Sequence, residues 1–86
     1  MRDRIVKSIR EIDFRGLRMP ILAVYDSPED YPGKVVARLY DLDRPTEIVL
    51  IGLERKEIQA EIKNNTGMVF LLRGAEDVRS LVGVWV

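Results

Sequence analysis

Apolar and polar positions repeat with two different periods along this chain, and the points where the period changes divide it into elements. Over Asp3 to Asp13, Ile5, Val6, Ile9 and Ile12 fall at helical spacing with charges between them, and Asp3 stands four residues before Lys7. The spacing predicts a short amphipathic helix, stopped near Gly16 by a left-handed residue. From Leu17 to Tyr25 the period drops to two, with Leu17, Met19, Ile21, Ala23 and Tyr25 on one side. Pro20 lies inside that run and predicts an edge strand or a bulge, because proline donates nothing to a ladder.

Asp26 to Gly33 reads as a loop, with two prolines, a glycine, and turn-forming Asp and Ser. Lys34 to Asp43 reads as the second strand, Asp43-Arg44-Pro45-Thr46 as a turn, and Glu47 to Gly52 as the third strand. Leu53 to Asn64 returns to helical spacing, with Glu54 and Glu57 early and Ile58 and Ile62 facing inward. Asn65 or Gly67 would supply a positive φ to end it. Met68 to Leu72 is a fourth strand, Gly74 to Ser80 a loop or single turn, and Leu81 to Val86 a fifth strand.

The fold class expected is α+β, an antiparallel β-meander of order α-β-β-β-α-β-β, with two short helices packed on a five-stranded sheet. The chain reads as one domain over 1–86. Residues 1–16 are the N-terminal helix and connector, 17–52 the three-stranded meander, 53–65 the second helix, and 67–86 the C-terminal strand pair. Both faces of the sheet look apolar. Val35, Ala37 and Leu39 oppose Val36, Tyr40 and Leu42, and Ile48 and Leu50 oppose Val49 and Ile51. Two short helices must then cover both faces or a partner must cover one, so a homodimer is expected.

Composition narrows the function. The 86 residues are 47% hydrophobic and 33% charged, an ordinary balance for a small globular domain. No cysteine is present, which excludes disulfides, thiolate zinc sites and cysteine nucleophiles and points to a reducing cytoplasm. No histidine is present either, so the usual proton shuttle and commonest metal ligand are missing, and the reading leans away from an enzyme. No apolar run is long enough to cross a bilayer, so no membrane partner is expected. Net charge is zero but unevenly spread: residues 1–18 are basic by three and residues 19–47 acidic by three.

Four groups carry candidate chemistry. Asp26, Glu29 and Asp30 form a carboxylate cluster without the spacing of a calcium loop, so turn capping explains it and no metal or other cofactor is expected. Asp41, Asp43 and Glu47 form a second cluster beside a turn, where negative charge also discourages aggregation between strand edges. Arg38 shares one side of a strand with Val36 and Tyr40; stacked on Tyr40 with Tyr25 or Tyr31 nearby, it would make a recognition patch. The basic N-terminal segment, with Arg2, Arg4, Lys7, Arg10 and Arg15, is the case for nucleic acid, although no known nucleic-acid-binding motif accompanies it.

The run Leu22-Ala23-Val24-Tyr25-Asp26-Ser27-Pro28-Glu29-Asp30-Tyr31-Pro32, then Val36-Ala37-Arg38-Leu39-Tyr40, Arg44-Pro45-Thr46 and the closing Val84-Trp85-Val86, resembles a family of short uncharacterised proteins from Gram-positive bacteria and their mobile elements. The resemblance covers residues 20–86 and implies a genomic setting, with no activity attached. Small proteins of such elements often act by binding host proteins. The resulting expectation is a cytoplasmic, non-catalytic protein-interaction module, of the mobile-element or phage-type regulator or inhibitor kind. Its surface is Tyr25, Asp26, Asp30, Tyr31, Arg38 and Tyr40. The alternative is a nucleic-acid-binding regulator using the basic N-terminal helix.

Overall fold

A computed structural model describes residues 3–74 and 78–86. Arg2 and the middle of the expected Gly74–Ser80 loop lie outside the described residues. Within them the backbone forms β1 (Arg4–Val6), β2 (Pro20–Asp26), β3 (Val35–Asp41), β4 (Arg44–Gly52), α1 (Arg55–Asn65), β5 (Phe70–Leu72) and β6 (Leu81–Trp85), with a single 3-10 turn at Ile9–Glu11. All six strands share one sheet, ordered β1-β4-β3-β2-β6-β5. β1 runs parallel to β4, and the other neighbouring pairs are antiparallel. The sheet is therefore mixed and carries one helix, which corrects the expected five-stranded antiparallel sheet with two helices.

The correction originates at the N-terminus. The Ser8 side chain accepts from the Arg10 N–H, while the Glu11 carboxylate accepts from the N–H groups of Lys7 at 2.8 Å and Ser8 at 3.0 Å. This capping box starts a helical turn at Ile9 and excludes everything before it. Ile5 and Val6, β-branched and suited to a pleat, instead satisfy the open backbone edge of β4. Helical spacing would bury Ile5 and Val6 together; the strand buries Val6 and leaves Ile5 58% exposed. Glu61 of α1 then accepts from Ser8 Oγ at 2.7 Å and the Ile9 N–H at 3.1 Å, tying the turn to the helix.

Other boundaries shift for local reasons. Pro20 is the first residue of β2 and faces only β3, since pairing to β6 begins at Leu22. A proline at that position costs no ladder bond, so β2 is a central strand, neither the expected edge nor bulged at Pro20; its register shift falls at Val24–Tyr25. β4 begins at Arg44, within the expected turn. No left-handed residue stands at Gly16, Asn65 or Gly67. Helix α1 is stopped by side chains instead: Asn65 Nδ2 donates to the Glu61 carbonyl and Thr66 Oγ1 to the Ile62 carbonyl, each at 2.8 Å.

Helix α1 covers one face of the sheet, where Val6, Ile9, Ile12, Leu22, Val24, Val35, Ala37, Leu39, Leu50, Ile58, Ile62 and Trp85 form the buried core. The Trp85 indole N–H donates to Gln59 Oε1 at 2.8 Å, fastening β6 to the helix. Gly83 lies beside the Phe70 ring and the Leu71 carbonyl, both of which a Cβ at that position would strike. Its missing side chain is what lets Phe70 settle against Trp85, ring centroids 5.2 Å apart.

A candidate interaction face on the second side of the sheet

The strand register places a second set of side chains on the face away from α1. One row runs Ile5, Val49, Arg38, Ala23, Val84, Leu71 across all six strands, and a neighbouring row runs Ile51, Val36, Tyr25, Leu81. No second helix covers this face among the described residues. Over β4 and β3 the face is covered by the 27–34 loop and Asp3, with Val49 and Val36 buried, while Ile5 at the β1 end stays exposed. Ser27 and Gly33, at φ 53° and 77°, bend the chain, the Ser27 N–H donates to the Lys34 carbonyl at 2.7 Å, and the Gly33 N–H donates to Ser27 Oγ at 2.9 Å. The loop thereby presents Tyr31 and Asp30 to Arg38.

Arg38 is the centre of that closure. Its Nη1 and Nη2 donate to the two Asp3 carboxylate oxygens at 2.9 and 2.8 Å, Nη1 also donates to the Thr46 carbonyl at 2.9 Å, and Nη2 reaches Asp30 at 3.4 Å. Tyr31 donates its hydroxyl proton to Asp3 at 2.7 Å. The Arg38 and Asp3 side chains are only 17% and 20% exposed, so this forked pair is held largely out of water. The Arg38 bonds first, then the Tyr31 bond, bring the Asp3 carboxyl down to about 2, against the opposing effect of desolvation. The same carboxylate raises the pKa of the Tyr31 hydroxyl and of the Arg38 guanidinium. Arg38 thus gives its donors to two carboxylates and a carbonyl.

Among the described residues nothing covers the β2–β6 half of the face. A groove of about 300 Å³ is lined by Ile21, Ala23, Tyr25, Tyr40, Leu42, Asp43, Leu81 and Val84. A smaller cavity of about 130 Å³, bounded by Pro28, Asp30, Val36, Arg38 and Ser80, adjoins it through the shared residues Tyr25 and Tyr40. The two tyrosine hydroxyls stand 3.0 Å apart, and burial followed by this hydrogen bond raises the Tyr25 pKa. Such a pair holds two protons and shares one, leaving a donor for an outside acceptor.

Leu42 stands at the mouth of the groove in the tight turn Asp41-Leu42-Asp43-Arg44, with φ 60°. Position one of a two-residue hairpin loop at positive φ is ordinarily glycine's. Here a leucine holds it, and the residue is 54% exposed.

Of the residues singled out from sequence, Tyr25, Tyr40, Asp30 and Arg38 converge on the small cavity. Tyr31 is bonded to Asp3, and Asp26 pairs with Arg55 at 2.7 Å. The basic N-terminal residues spread apart: Arg4 and Lys7 are exposed along β1 and just after it, Arg10 donates to Asn65 at 2.8 Å, and Arg15 pairs with Asp13 at 3.0 Å. Among the described residues no three acidic, histidine or cysteine groups gather as metal ligands would. Asp41 of the second carboxylate cluster accepts from the backbone N–H groups of Arg18 and Met19 at 2.9 and 3.0 Å. No described helix is long and apolar enough to cross a membrane.

Two residues join the site only in three dimensions: Asp3, whose spacing to Lys7 predicts a helical pair, and Leu42, whose place in the alternation predicts an ordinary strand residue. For Leu42 the signal was present: a leucine between two aspartates where a hairpin turn calls for glycine or asparagine. For Asp3 there was none, because its partners lie 28 and 35 residues away. Compared with known protein families, curated proteins and solved structures, the chain matches none.

Proposed function

We propose that this chain is a binding module that takes a protein segment on the open half of its second sheet face, against Ile21, Tyr25, Tyr40, Leu42, Leu81 and Val84. The observation that carries this reading is Leu42. A large side chain at positive φ costs on the order of 1–3 kcal/mol of backbone strain, and such strain persists at sites that use it. Here it projects an apolar side chain partly into water beside a groove, a position that suits a contact.

The chemistry of the groove describes its occupant. Apolar walls take two or three aliphatic or aromatic side chains. The tyrosine pair offers a hydroxyl proton to a backbone carbonyl. Asp43 on the rim has no ion pair among the described residues and favours a basic side chain next to the apolar ones. The occupant is therefore a basic, apolar peptide segment of another protein. Arg38 and Tyr31 serve chiefly to close the other half of the face, so substituting them tests the fold before it tests binding.

A displayed library of random peptides, panned against the whole chain, tests this directly. Enrichment of apolar residues beside Lys or Arg is expected, with binding at least tenfold weaker for Leu42→Asp and unchanged for Leu53→Asp, an exposed leucine away from the groove. No enrichment, or selected peptides that bind Leu42→Asp equally well, overturns the assignment. Capture of nucleic acid with a salt-dependent affinity, indifferent to Leu42, would transfer the function to the basic side chains near the N-terminus.

A further inference from the structure

The two edges of the sheet are protected unequally. At β1 the exposed strand is interrupted by charge, with Asp3 before it, Arg4 within it and Lys7 after it. At β5 the run Val69-Phe70-Leu71-Leu72 carries no charge and no proline, and Val69, Leu71 and Leu72 are exposed, Leu72 by 80%. Among the described residues no strand pairs with the outer side of β5, and an apolar edge left so is a template for another strand.

The hydrogen bonds show which groups are open. Val69 exchanges both backbone bonds with Val86, at 2.8 and 2.9 Å, and the Arg73 N–H donates to the Val82 carbonyl at 3.3 Å. Residues 69, 71 and 73 thus turn their peptide groups toward β6, and alternation turns those of Phe70 and Leu72 outward. These two residues stand on either side of Leu71, in the middle of the strand.

We infer that β5 pairs antiparallel with β5 of a second copy of this chain, about a two-fold axis at Leu71, joining the two sheets edge to edge. In that register Phe70 of each copy faces Leu72 of the other, and the pair exchanges two hydrogen bonds on each side of the axis, using every outward group of the strand. Leu71 meets Leu71 on the second face, at the close spacing of a non-hydrogen-bonded pair. The exposed Leu72 meets Phe70 of the other copy on the helix-bearing face. Arg73 comes opposite Val69, so no like charges oppose one another. The edge complements itself in both bonds and side chains, as a two-fold interface requires. This inference is independent of the peptide-binding reading, although it sets the two grooves on the same side of one extended sheet.

Position 71 is the only one in the strand that meets itself, which makes the register testable. Sedimentation should show the chain at twice its 9.9 kDa mass. Leu71→Glu and Leu71→Lys, each folded by circular dichroism, should each sediment as monomers, and their equimolar mixture should recover the dimer. The chain has no cysteine of its own, so Leu71→Cys should cross-link quantitatively on mild oxidation, since facing Cα atoms at roughly 4.5 Å fall within disulfide reach. Leu72→Cys, which faces Phe70, should not. A wild-type monomer throughout the micromolar range overturns the inference, as does a dimer indifferent to both charge variants or linked by Leu72→Cys in preference to Leu71→Cys.

Discussion

Asp3 shows how one side chain near a terminus joins three distant segments. It accepts a forked pair from Arg38 on β3 and a hydroxyl proton from Tyr31 in the 27–34 loop, while it leads into β1. Its carboxyl is held at about 2, below the usual carboxylate range, so the stabilisation is fully present above about pH 4 and disappears as pH falls through 2. Because a fifth of the side chain still meets water, the contribution is about 1 kcal/mol, short of what the shift alone would imply. Asp3→Asn should lower the stability of the chain by that amount at neutral pH, and the gap between the two proteins should close between pH 4 and 2 in denaturant titrations. Leu42 behaves oppositely. Leu42→Gly relieves the positive φ and should raise stability by about 1 kcal/mol in thermal melts. The same variant should bind the groove's peptides more weakly, and a gain in both properties would contradict the role given to this leucine.

Among the elements, the short ones depend most on their neighbours. β1 is three residues long and would not persist alone; it is held by the β4 edge, the Asp3 clasp and the Ser8–Glu61 bond. Read along the chain, the apolar spacing of Ile5, Val6, Ile9 and Ile12 fits a helix as well as a strand followed by a turn, and the Ser8–Glu11 capping box together with the available β4 edge separates the two outcomes. The longer runs were more legible: the segment 53–64 contains most of α1, since Ile58 and Ile62 sit in a run rich in Glu, Lys, Arg, Gln and Ala that is long and helix-forming, and too charged for a central strand. β5 is also three residues long and relies on Gly83 for room. Gly83→Ala drives a methyl group into the Phe70 ring and the Leu71 carbonyl and should cost about 1–3 kcal/mol. The amide exchange of Leu71, bonded inward to β6, should accelerate in that variant ahead of the β2–β3 amides. Uniform acceleration would mean that β5 is no weaker than the centre of the sheet.

For the whole molecule, the consequence of an apolar pattern on both sides of the sheet is divided three ways. Helix α1 covers one face, the 27–34 loop with Asp3 covers the other over β4 and β3, and the β2–β6 half is left uncovered among the described residues. If β5 joins two copies, unfolding and dissociation are linked. The melting temperature of the wild-type chain should then rise with protein concentration, and that of Leu71→Glu should not. Concentration-independent melting of both would agree with a monomer.

Apolar spacing and composition determined by themselves that this chain folds with both sheet faces rich in hydrophobic side chains, that its longest helical pattern lies after residue 52, and that thiol and imidazole chemistry is excluded. These are properties of each residue's own chemistry and of spacings shorter than one element. Tertiary structure alone decided that the first segment becomes a parallel edge strand, that Arg38 closes on Asp3, and which half of the second face stays uncovered among the described residues. Each depends on a partner tens of residues away, and a hydrogen-bonding group leaves no mark in the local pattern of which distant group will satisfy it.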